Sequence, residues 1–123
     1  SLVGVDDPEI VFEAAATVGI PVAIEPAVRA VWTDADAIAR LAAELNGLAE
    51  TAASFGIKVG YHNHDWEFAA VGDGTGYDVL LRELSPEVVL EVDTYWATVG
   101  GQDAAALLRR LGDRVGFLHV KDG

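Results

Sequence analysis

Two of the chain's three histidines fall in one phrase, Tyr61-His62-Asn63-His64-Asp65-Trp66-Glu67-Phe68. That phrase follows residues 57–60, the start of a short apolar run that reads as a buried strand. The third histidine, His119, closes a second apolar run, and Asp93 closes another. Neutral imidazole and carboxylate form a mixed N/O donor set suited to Mn²⁺, Zn²⁺, Mg²⁺ or Fe²⁺. His62, Asp93 and His119 from three strands would leave coordination positions open for the oxygens of a substrate. Each also has a plainer reading. His62 and His119 would serve as hydrogen-bonded histidines at strand ends, and Asp93 as a helix cap or turn residue.

Other polar groups follow the same strands. His64 and Glu67 are candidates for proton transfer or hydroxyl binding, because the phrase carries both past the strand end. The alternative for Glu67 is a loop glutamate paired with an arginine. Trp66, Tyr95 and Trp96 would either wall a pocket with their aromatic faces or pack in the core. Glu25 ends the first strand and faces the same rim, and Lys121 would steer a phosphate or hydroxyl or stand as an exposed loop lysine.

The elements that must position these groups alternate. Asp6-Asp7-Pro8-Glu9 starts a helix whose face is supplied by Val11, Ala14, Ala15 and Val18, and Gly19 stops it. Residues 20–24 form a strand entered through Pro21. Thr33 caps a long helix with Ile38, Leu41, Leu45, Leu48, Ala52 and Phe55 at steps of three and four, and Gly56 ends it. After the phrase at 61–68, the glycine-rich run 71–76 lacks the Lys-Ser/Thr ending of a phosphate loop and reads as a surface turn. A short helix on Leu80, Leu81 and Leu84 leads to a strand at 88–92. A helix on Leu107, Leu108 and Leu111 leads to a strand at 115–118. With no hairpin signal, strand and helix alternation demands a parallel sheet with right-handed crossovers. The expected organisation is one α/β domain over residues 1–123, built of about four βα units.

Composition narrows the partners. A net charge of −12 argues against nucleic acid and against an anionic membrane surface. There is no cysteine, hence no disulfide framework or thiolate chemistry. No apolar run approaches about 20 residues and no signal segment opens the chain, so a cytoplasmic, soluble protein is expected. Methionine is absent even at position 1, which favours a piece of a longer protein.

The phrases at 60–68, Leu90-Glu91-Val92-Asp93-Thr94-Tyr95-Trp96 and His119-Val120-Lys121-Asp122 together resemble the sugar phosphate isomerase/epimerase family of xylose isomerase-like barrels. The resemblance implies a (β/α)₈ TIM barrel, of which this chain would supply the central strands. Such a partial barrel would have two sheet edges and an apolar concave face to cover, either by the missing half or by a second copy. The resemblance further implies one divalent metal held by Glu, Asp, His and Glu at four strand ends. Asp93 and His119 match two of these, His62 stands at the first Glu, and the last Glu lies on an absent strand. Glu67 matches a family glutamate that contacts substrate hydroxyls. Trp96 stands where endonuclease relatives carry a further metal-binding histidine, which argues against a multi-metal DNA-repair site.

The implied function is a divalent-metal-dependent isomerase or epimerase acting on a keto sugar or related polyol through an enediolate. A keto-sugar dehydratase or lyase would use the same site, and a non-catalytic half-barrel binding module would keep the surface without the chemistry. A DNA phosphodiesterase is the remaining rival.

Overall fold

The computed structural model describes residues 2–28 and 31–120. Helix α1 (Pro8–Thr17) leads to β1 (Val22–Glu25), and α2 (Ala35–Ala53) leads to β2 (Lys58–His62). A two-stranded ribbon, β3 (Ala70–Val71) and β4 (Gly74–Thr75), precedes α3 (Gly76–Glu83). Then come β5 (Val89–Asp93), α4 (Thr94–Val99), α5 (Ala104–Leu111) and β6 (Val115–His119). The main sheet is parallel throughout, in the order β1-β2-β5-β6. All four strands therefore end at the same rim.

Helix α2 is the chief cover of the sheet. Ile38, Leu41, Ala42, Leu45, Leu48, Ala49 and Ala52 are buried at steps of three and four, the stripe read from the sequence. Its cap is Asp34, whose side chain accepts from the Asp36 and Ala37 backbone N–H groups, one residue later than the expected Thr33. Gly56, at φ 71°, closes the helix C-terminus where a side chain would be strained. Strand side chains alternate: Val59, Tyr61, Leu90 and Val92 are buried in the core. Helix α1 differs from expectation. Its buried anchor is Phe12, packed on Phe55 at a ring separation of 6.5 Å, while Val11 and Val18 are exposed.

The glycine-rich run is a hairpin rather than a loose turn. Val71 pairs with Gly74 and Ala70 with Thr75, leaving a two-residue connection with Gly72 at φ 57°. Thr75 then starts α3 through a reciprocal capping box with Asp78. The expectation of no hairpin fails here because the paired strands are two residues long, below the span in which alternation is visible.

One irregularity decides the site. Leu90 pairs with Val115, yet Glu91 pairs with Phe117 and Asp93 with His119, so β6 gains one residue at Gly116. A regular ladder would put Leu118 beside Asp93 and turn His119 to the other face of the sheet. The bulge reverses that parity. Glycine suits the position, since a Cβ on Gly116 would stand 3.1 Å from Val89 Cβ.

Candidate metal and substrate site

The strand ends bring His62, Asp93 and His119 together. Asp93 Oδ2 lies 3.3 Å from His62 Nε2 and 3.3 Å from His119 Nδ1, and one ligand atom from each residue lies within 4.8 Å of the others. Two donors at about 2.1 Å from one ion in tetrahedral geometry stand about 3.4 Å apart. The two separations to Asp93 match that value, and with the third bounded at 4.8 Å the donor set is of the kind that could hold a divalent cation. The Asp93 side chain is divided between two tasks. Its Oδ1 accepts from the Trp96 backbone N–H at 3.0 Å and caps α4, and Oδ2 faces the histidines. The ligand reading and the cap reading are therefore compatible.

Asn63, fully buried, fixes this arrangement. Its Oδ1 accepts from the Asp93 N–H at 2.8 Å, and its Nδ2 donates to the Asp93 carbonyl at 3.2 Å and the His64 carbonyl at 3.3 Å. The side-chain amide thus extends the β2–β5 ladder one step beyond the backbone pairing. Replacing Asn63 with alanine strips partners from the buried main chain of Asp93 and is expected to cost about 2–4 kcal/mol, read from urea unfolding. A loss below about 0.5 kcal/mol would contradict this role.

A cleft of about 440 Å³ opens beside the triad. His62, Glu91 and His119 line its polar side, and Ile24, Pro26, His64 and Trp96 complete it. Ile24 and Val89 close over Gly60, where a Cβ would stand 3.3 Å from Ile24 Cγ1 and 3.0 Å from Val89 Cγ2. His64 stacks flat on Trp66, with centroids 4.4 Å apart and planes at 9°, and its ring lies 6.0 Å from Trp96. Trp66 backs the histidine rather than lining the cleft, and its Nε1 donates to the Val28 carbonyl at 2.9 Å. Trp32 donates to the same carbonyl from within the loop after β1, so Trp66 ties that loop to the phrase that carries the histidines while Trp32 braces the loop internally.

Two expected substrate contacts are spent elsewhere. Glu67 is fully buried; both carboxylate oxygens accept from the His64 N–H at 2.9 Å, and the Tyr61 hydroxyl donates to Oε2 at 3.1 Å. Burial pushes its pKa up to about 7 against these bonds, which favour the charged form. Glu25 is also fully buried, and its Oε2 accepts from the Leu2 and Val3 N–H groups at 2.7 and 2.8 Å. Neither lines the cleft. A period-2 pattern assigns a residue to a face, but it does not say whether nearby main-chain donors will claim a carboxylate. Lys121 lies outside the described residues. Glu91, which sequence reasoning passed over, does reach the cleft; its position two residues before Asp93 on the same strand face was the available signal.

A family model described as xylose isomerase-like TIM barrel matches residues 5–123. The chain belongs to that family. A sugar phosphate isomerase/epimerase from Parabacteroides distasonis ATCC 8503 superposes at TM-score 0.85 and 28% identity, over 94% of this chain and 45% of that one. A second protein of that description from the same organism gives TM-score 0.86 and 27% identity, over 94% and 43%. D-allulose 3-epimerase from Methylomonas sp., at 18% identity and TM-score 0.64 over 94% and 43%, shares the fold. No curated protein matches the chain. The chain spans under half the length of these solved relatives and forms part of a TIM barrel. Among the described residues, no helix is long and apolar enough to cross a membrane.

Proposed function

We propose that this domain carries part of the active site of a divalent-metal-dependent isomerase or epimerase acting on a keto sugar or related polyol. The observation that supports this most is the convergence of His62 Nε2, Asp93 Oδ2 and His119 Nδ1 at the ends of three neighbouring parallel strands. These residues would hold the ion. A bound divalent cation supplies Lewis acidity that makes the carbon next to a carbonyl easier to deprotonate.

The chain's own residues supply binding and proton handling. Trp96 offers an aromatic face to the C–H side of a sugar ring at the cleft wall. His64 lines the cleft and would carry a proton between substrate carbons or oxygens. Stacking on Trp66 fixes the plane of its ring, and Glu67 fixes its backbone, so Glu67 is a positioning residue here. Proton transfer at the carbon beside a carbonyl gives an enediolate, the shared intermediate of isomerisation, epimerisation and loss of water from a keto sugar.

The test is solvent deuterium incorporation into a free ketohexose, followed by NMR, with the protein titrated by Mn²⁺. Metal-dependent exchange at the carbon beside the carbonyl is expected, and the product separates an epimer from a dehydrated sugar. Binding of Mn²⁺ and sugar with no exchange would favour a non-catalytic binding module. The chain's span of under half of its solved relatives gives that second reading its footing.

A further inference from the structure

The cleft carries one carboxylate that the chemistry above does not use. Glu91 stands directly beside His62 in the β2–β5 register, and its Oε1 lies 2.5 Å from His62 Nδ1. A carboxylate oxygen accepts hydrogen bonds, so this contact has a donor when the proton sits on the ring nitrogen that faces Glu91. The opposite nitrogen, Nε2, then faces Asp93 Oδ2 at 3.3 Å. The His62 and Glu91 side chains are only 12% and 24% exposed, so water competes weakly for this bond. Because strand pairing places the two residues side by side, the contact is built into the sheet and does not hang on a mobile loop.

We infer that Glu91 is a positioning residue that selects the Nδ1-protonated form of His62 and aims Nε2 at the ion site. It acts through the imidazole rather than on the substrate. A metal-bound histidine needs its second nitrogen engaged, because that bond sets both the tautomer and the ring plane. The consequence for metal affinity rests on the metal-dependent reading proposed above; the orientation of the ring does not.

Two measurements on wild type, Glu91→Gln and Glu91→Ala separate these points. In the metal-free protein, NMR is expected to show a protected, low-field Nδ1 proton on His62. That proton is kept in Glu91→Gln, whose amide oxygen still accepts, and lost in Glu91→Ala. In Mn²⁺ titrations, Glu91→Ala is expected to bind about 10–100-fold more weakly and Glu91→Gln within a few fold of wild type. A wild type without the Nδ1 proton, or a Glu91→Ala variant with undiminished Mn²⁺ affinity, overturns the inference. If the wild type shows the proton and takes up no Mn²⁺, the metal-dependent reading falls and the orienting role of Glu91 stands.

Discussion

Asparagine at position 93 is expected to weaken Mn²⁺ binding by about a hundredfold to a thousandfold while the metal-free protein still folds. The magnitude follows from structural zinc sites, where about 10–16 kcal/mol is shared among four ligands, or about 2.5–4 kcal/mol for each. The division of labour within Asp93 makes this variant informative. Its Oδ1 caps α4 by accepting from Trp96, and an asparagine oxygen makes the same bond. Its Oδ2 faces His62 and His119, and there asparagine presents an NH₂ group that cannot bind a cation. Calorimetric titration with Mn²⁺ and a thermal melt of the metal-free protein read the two effects separately. An affinity within threefold of wild type would remove Asp93 from the ligand set. A collapsed melt in Asp93→Asn would mean that the carboxylate charge, rather than the cap, holds this corner of the fold.

The second large effect concerns Glu67 and pH. Burial raises its carboxyl from 4.5 to about 7 in the folded protein. The folded state therefore binds the proton more tightly than the unfolded state between those values. Where the native state holds more protons, stability falls as pH rises. Glu67's contribution is thus most favourable near pH 4.5 and below, declines towards pH 7, and is flat above. At about 1.4 kcal/mol per tenfold change in proton affinity, the full span is about 3 kcal/mol. Glutamine mimics the protonated carboxyl: its oxygen accepts the His64 N–H, and its NH₂ turns towards the Tyr61 hydroxyl. Urea unfolding of wild type and Glu67→Gln should nearly coincide at pH 4.5, with the variant ahead by about 3 kcal/mol at pH 8. Parallel stability curves for the two proteins across that range would show that Glu67 does not titrate with an elevated pKa.

The two experiments probe different layers of one assembly. Asp93 bears on what the rim can bind, whereas Glu67 bears on the phrase that presents His64 to the cleft. Asn63 joins them through its bonds to Asp93 and to the His64 carbonyl. A change in any of the three will be felt by the others, so double variants among them should not be additive.

Several features were legible in the chain alone because they depend on local chemistry. The stripe on α2, the glycine stops at Gly19 and Gly56, and the alternation of apolar runs with helical periods led to a parallel sheet, and the sheet is parallel. Apolar runs that end in His62, Asp93 and His119 also told which residues stand at strand ends, and parallel strands put those ends at one rim. Helix α4 was signalled only by the cap reading of Asp93, because its six residues, Thr94–Val99, are too short to display a helical period.

Packing settled the rest. Periodicity assigns a side chain to a face, but a hydrogen bond depends on where a distant main chain happens to run. Glu25 and Glu67 were therefore drawn into backbone donors, and Glu91 came to stand against His62. The bulge at Gly116 is the sharpest case. Gly116 permits the extra residue without requiring it, yet that residue alone turns His119 to the side of Asp93. Residue types set which ligands were available, and strand register, a property of pairs of segments far apart in the chain, set which of them could meet.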